Sequence, residues 1–311
     1  MRVFVTGASG WLGSGLVPDL IEAGHEVVGL ARSDDAATAV AALGAEVLRG
    51  SLDDLDGLRD AAKSADGVAH LAFRHDLSFT GDMAGAAAVD RQAIEVFGEA
   101  LAGSDRPFVI ASGVLGIAPG RVATEQDGVE AAQSPDVPIE GALDRMANAH
   151  YAASLAFRGV RSSVLRLPPT CHGDGDNGFM AMLVGIARDK GVSGYVGDGS
   201  ARWPATHRLD VARAFRLALE QAPAGSTLHA VAEEGVPGRA FAEVIGQKLD
   251  VPVVSVSHED ALGHFGFLGF LLPMDSPASS VRTRGLLGWE PTHPGLIDDL
   301  QGGHYFHRPG A

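Results

Sequence analysis

Arg2-Val3-Phe4-Val5-Thr6-Gly7-Ala8-Ser9-Gly10-Trp11-Leu12-Gly13 is the stretch that decides the fold. It opens as a short run of β-branched and aromatic residues, the composition of a buried strand. Glycines then stand at the first, fourth and seventh positions of residues 7–13, and a helical pattern follows to about residue 23. Each glycine has its own reason in a strand-to-helix turn. The first allows the tight turn, the second lets backbone approach a pyrophosphate, and the third lets the helix pack close to the strand. The helix start adds free N–H groups and the positive end of its dipole. A plain tight turn would also use glycine, but a triplet between a first strand and a first helix points to a bound dinucleotide. Thr6, Gly7, Ser9, Gly10, Trp11, Leu12 and Gly13 are the expected phosphate loop.

Outward from this stretch the chain keeps one rhythm. Apolar runs at residues 26–30, 45–48, 67–72, 107–111 and 161–167 alternate with helical patterns, among them residues 86–101 and 141–158. Strands alternating with helices of about 10–15 residues predict an α/β fold, a doubly wound parallel sheet with helices on both faces. Ligands of such sheets lie beyond the carboxyl ends of the strands. After Leu167 the rhythm breaks at Pro168-Pro169 and at Gly173-Asp-Gly-Asp-Asn-Gly178. The predicted division is a nucleotide-binding Rossmann domain at 1–167 and a smaller substrate lobe at 168–311 packed on it. There is no internal repeat and no low-complexity linker.

Composition narrows the partners. The chain has 311 residues, 46% of them apolar, enough for a sizeable core. Its net charge is −15, without a basic stripe, which argues against nucleic acid and anionic membrane. No apolar run reaches the ~20 residues of a membrane span, and no charged segment followed by an apolar one opens the chain. One cysteine, Cys171, excludes an intrachain disulfide and suits a reducing cytoplasm. The expectation is a cytoplasmic monomer or homodimer that binds a small molecule. The 12 histidines show no ligand spacing, so no metal is expected.

The end of the second strand chooses the dinucleotide. An acid there would bind the ribose 2′-OH of NAD, but Ala31 holds that place. Arg32 and Ser33 follow, a cation and a hydroxyl suited to a 2′-phosphate, so NADP is preferred over NAD. Asp34 and Asp35 lie past the strand end.

Several further stretches share one pattern: Gly50-Ser51-Leu52-Asp53-Asp54, Ala69-His70-Leu71-Ala72, Ala111-Ser112-Gly113-Val-Leu-Gly116, Leu165-Arg166-Leu-Pro-Pro169, His207-Arg208-Leu-Asp210-Val-Ala212 and Thr283-Arg-Gly-Leu-Leu-Gly288-Trp-Glu-Pro291. With the glycine triplet, they make the chain resemble the extended short-chain dehydrogenase/reductase superfamily, the NAD-dependent epimerase/dehydratase-like proteins. The resemblance implies that Ser51 and Leu52 lie beside the adenine. It places Leu71, Ala72 and Phe73 along the cofactor ribose, Pro168 and Pro169 near the nicotinamide, and Ser112 as the active-site hydroxyl.

Such enzymes transfer hydride at a carbon bearing oxygen, and the alkoxide needs donors aimed at it. The superfamily's Tyr-x-x-x-Lys pair places a phenol and the lysine that lowers its pKa on one helix face. The three lysines here are Lys63, Lys190 and Lys248, and no tyrosine has one four residues later. By position the pair falls near Glu140 and Asp144. Tyr151, a candidate proton donor, stands about 11 residues further along, ~16 Å at ~1.5 Å per residue. His172 and His207 are the alternative donors, with Arg74 or His75 also within reach of the pocket. Asp210 reads as a helix N-cap. Phe179, Met180, Tyr195, Trp203, Phe265, Phe267 and Phe270 suggest an apolar wall. The expected activity is NADP-preferring oxidoreduction of a small hydrophobic carbonyl or alcohol. A nucleotide-sugar epimerase or dehydratase, and an NADP(H) sensor without turnover, are the alternatives.

Overall fold

The computed structural model describes residues 1–128 and 142–307. The Rossmann half follows the sequence rhythm, in the order β1 (Arg2–Thr6), α1 (Gly13–Glu22), β2 (Glu26–Ala31), α2 (Asp34–Ala42), β3 (Glu46–Arg49), α3 (Leu55–Ser64), β4 (Gly67–His70), α4 (His75–Phe79), α5 (Met83–Leu101), β5 (Pro107–Gly113), α6 (Ala142–Ser154) and β6 (Arg161–Leu167). The helices α2 and α3, which the periodicity did not mark, are started by side chains. Ser33 accepts from the Ala36 amide and Asp54 from the Gly57 amide.

Period-two alternation splits the sheet's side chains between two cores. Val3 and Val5 face α1 and a later helix, while Phe4 packs with Phe97 and Phe108 toward α3, α5 and α6. Helices on both faces make the sheet doubly wound, as expected.

After β6 the chain leaves the parallel sheet and comes back. It builds β7 (Thr170–His172), α7 (Phe179–Lys190), β8 (Ser193–Val196) and β9 (Arg202–His207). Then α8 (Arg208–Gln221) lies against α1, and β10 (Ser226–His229) pairs with β6 as a seventh parallel strand. The sheet order is β10-β6-β5-β4-β1-β2-β3. Six strands were legible before residue 168; the seventh was hidden because four residues, Ser-Thr-Leu-His, carry too little pattern. Beyond it, β11 (Glu233–Pro237) pairs with β9, and α9 (Gly238–Leu249) and β12 (Val253–Val256) pack on β8. The second lobe has its own core around Trp203, Phe241 and Phe265. No helix among the described residues is long and apolar enough to cross a membrane.

Candidate active site

The turn between β1 and α1 is shaped by what it excludes. Gly7 has φ +71°, and a Cβ there would stand 2.9 Å from the Ala72 amide nitrogen. At Gly13 a Cβ would come 2.1 Å from the Gly7 carbonyl oxygen, so the helix could not start so close to the strand. Leu12, the cap residue of α1, has no side-chain cap bond. The N–H groups of Trp11, Leu12 and Gly13 have no acceptor among the described residues. Unpaired donors at an uncapped helix start, with no side chain filling the approach, fit a pyrophosphate.

A cleft of about 820 Å³ opens over the carboxyl ends of the strands. Gly7, Ser9, Gly10, Trp11, Leu12 and Gly13 line it on one side. Ser51, Leu52, Leu71, Ala72 and Phe73 line it on another, and Pro169, Phe179 and Met180 close the far end. Trp11 ties the two lobes across the cleft, donating from Nε1 to the Cys171 carbonyl at 2.9 Å while Arg208 stacks on its ring. Cys171 also lines the cleft, and burial pushes its thiol up to about 12.

At the end nearest β2 the cleft is lined by Arg32, Ser33, Asp53, Arg74 and Asp76. Ala31 ends β2 without an acid. Arg74 holds Asp76 at 2.9 Å and Asp53 at 3.4 Å, and Arg32 approaches Asp76 at 3.9 Å. The Asp76 carboxyl sits below the usual carboxylate range because Arg74 bonds it. Arg74, expected near the substrate, belongs to the β2 end instead. The loop after β4 turns back toward β2, and no periodicity reports that turn.

The other end is built on a buried relay. The Ala72 amide donates to the Thr6 hydroxyl, which donates to His70 Nδ1 at 2.7 Å; His70 Nε2 reaches Asp90 at 3.1 Å. Asn148 of α6 donates at 2.8 Å to Asp90 and to the Ala87 carbonyl. Thr6 therefore lies behind the cleft rather than on its wall, fixing the loop after β4 against the phosphate loop. The sign of this relay in the sequence was an ionisable residue, His70, inside a buried strand, which demands partners.

The proposed donors are not on the cleft wall. Tyr151 faces α5, where Arg91 stacks 3.7 Å from its ring centroid and Arg158 reaches its hydroxyl. His172 is fully buried and pairs with Asp299 at 3.0 Å, and Asp299 also accepts from His304. His207 accepts from the Leu209 amide as the cap of α8, and burial, with His293 and His172 nearby, lowers it to about 4. That corrects the reading of Asp210. It lies inside the first turn of α8, fully buried, and accepts from the Thr292 and His293 amides.

Pro168 is buried behind Pro169. Ser112, one residue from the end of β5, pairs in register with Arg166 and is buried, and its hydroxyl makes no hydrogen bond among the described residues. Glu140 lies outside the described residues, and Asp144 is placed only as part of the α6 backbone. Phe179 packs on Trp203 and Phe267, so the expected aromatic wall stands one layer deep. Phe265 lies in the second core and Phe270 is exposed.

Residues 3–90 match the sequence profile of the NAD dependent epimerase/dehydratase family. An uncharacterized protein of Schizosaccharomyces pombe is 46% identical over 306 residues, covering 98% of this chain and 100% of its own length. The chain belongs to the NAD-dependent epimerase/dehydratase family of the extended short-chain dehydrogenase/reductase superfamily. This family comprises NAD-binding oxidoreductases, epimerases and dehydratases. The 4-hydroxy-2-methyl-3-oxo-4-farnesyl-3,4-dihydroquinoline-1-oxide ketoreductase of Stigmatella aurantiaca is 27% identical over 274 residues, 86% of this chain and 80% of its own. Among solved structures, UDP-glucose 4-epimerase of Thermotoga maritima superposes with a TM-score of 0.77, at 19% identity and 98% coverage of both chains. That likeness is one of fold.

Proposed function

We propose that the protein is an NADP-preferring oxidoreductase acting on a hydrophobic carbonyl or alcohol. The observation that carries the cofactor preference is the β2 end of the cleft, where Arg32, Ser33 and Arg74 meet and no acid ends β2. A 2′-phosphate would take the guanidinium donors that Asp76 and Asp53 now accept. In this reading residues 1–167 carry the cofactor and most of 168–311 the substrate. The phosphate loop would hold the pyrophosphate, Ser51 and Leu52 the adenine, and Leu71 to Phe73 with Pro169 the remaining length.

A bound dinucleotide would donate hydride to a carbonyl or accept it from an alcohol, and the chain's own residues would bind, orient and exclude water. Ser112 brings a hydroxyl not spent on any described partner to the end of β5, suited to orient the substrate oxygen. Phe179, Met180 and the ring of Phe267 behind them favour an apolar substrate. The similarity to a ketoreductase of a farnesylated quinoline supports the same class.

The test is NADPH oxidation across a panel of hydrophobic ketones and quinones, with calorimetric binding of NADPH and NADH. Arg32→Ala should weaken NADPH by about tenfold, the size of one charged hydrogen bond, and leave NADH nearly unchanged. Equal weakening of both overturns the NADP preference. Tight NADPH binding without turnover on any carbonyl overturns the enzymatic reading in favour of a sensor.

A further inference from the structure

Arg145 belongs to none of these assignments, yet the fold sets it with care. Helix α6 runs down from the carboxyl ends of the strands, and near its foot the Ala153 carbonyl accepts from Ser162 at the start of β6. Asn148 locks its height, because its partner Asp90 also holds His70, and His70 pairs in register with Ile110. Arg145 is one turn higher, about 4.5 Å at ~1.5 Å per residue. Two residues above His70 and Ile110, at ~3.3 Å each, stand Ala72 and Ser112. Arg145 thus comes level with Ser112 and with the loop after β4. It is found there, its Cζ 4.3 Å from the centroid of the Phe73 ring on the cleft wall.

This guanidinium has five N–H donors, and none has an acceptor among the described residues. Asp90 supplies the opposing charge, but both its oxygens already accept from His70 and Asn148. The side chain is half-buried, with no oxygen of the described residues spent on its donors, so a ligand on the cleft wall can supply the oxygens. Stacking on Phe73 fixes the plane of the fork and points to a ligand on the same wall.

We propose that Arg145 is the cation of the reaction end. Its donors would meet the oxygens of the nicotinamide-side ribose of the bound dinucleotide, with its charge beside the substrate oxygen oriented by Ser112. This rests on the cofactor reading above. Helix α6 then supplies an arginine from its first turns, where no lysine is available.

The experiment compares two ligands by calorimetry on the full chain: NADPH, and 2′,5′-ADP, which lacks the nicotinamide ribose. Arg145→Gln should weaken NADPH by about tenfold and leave 2′,5′-ADP unchanged, and Arg145→Lys should recover part of the loss. Unchanged NADPH affinity in Arg145→Gln overturns the proposal. Equal weakening of both ligands also overturns it, because a general loosening of the fold would do that. If the unaltered protein binds neither ligand, the cofactor reading itself falls, and this one with it.

Discussion

At the β2 end of the cleft, Arg32, Arg74, Asp53 and Asp76 stand in water and hold one another by exchangeable ion pairs. At the other end, Thr6, His70, Asp90 and Asn148 lie buried, with every contact assigned to a named partner. Surface pairs of the first kind contribute little to stability and can trade partners for a ligand. Buried polar groups of the second kind are costly to disturb, and they fix geometry. The cleft therefore has a receptive end and a rigid end, and the phosphate loop lies between them.

The contrast is broken most severely at the loop. Gly13→Ala would drive a Cβ to 2.1 Å from the Gly7 oxygen and 2.7 Å from the Ala8 Cα. It should abolish NADPH binding and lower the melting temperature. Gly10→Ala meets only the Gly7 oxygen at 3.2 Å, and should weaken binding while leaving the melt unchanged. Calorimetry and thermal melts on the pair check this.

Next comes a comparison of the two ends by urea unfolding. Asp90→Ala strips His70 and Asn148 of their acceptor and should cost about 2–4 kcal/mol. Arg74→Ala, at the receptive end, should cost about 1 kcal/mol or less while weakening NADPH. Similar stability losses for both would erase the distinction.

The smallest effect is a pH dependence away from both ends, at the edge strand β10. His229 is fully buried; burial pulls it down to about 4, helped by Arg166, against the pull of its bond to the Ser279 carbonyl. The unfolded chain, with an ordinary histidine near 6.5, binds more protons between those values. The stability tied to neutral His229 is complete above about pH 6.5 and declines as the pH falls toward 4. His229→Gln should shrink the difference between melting temperatures at pH 7 and pH 5, and an undiminished difference would refute the assignment.

The receptive end and the loop were legible because they depend on local order. Gly7, Gly10 and Gly13 follow a strand, and Arg32 and Ser33 follow Ala31, all within neighbouring residues. The rigid end was not, because its members come from β1, β4, α5 and α6 and meet only once the sheet is assembled. His172 and His207 misled for a related reason. Their sequence places them after strands, but the second lobe turns them toward Asp299 and the start of α8 rather than the cleft. Arg74 was recognised as a pocket residue and given the wrong end, since the direction of a loop leaves no periodic trace.

The return of the chain to the sheet at β10 has a consequence for synthesis. Strand β6 is complete at Leu167, but its outer neighbour, Ser226–His229, leaves the ribosome about sixty residues later. At ~5–20 residues per second, the edge of β6 stays open for several seconds, presenting unpaired N–H and C=O groups. Only β7, α7, β8, β9 and α8 emerge in that interval; β11, α9 and β12, which complete the second lobe, follow β10, so the parallel sheet has all its strands before that lobe does.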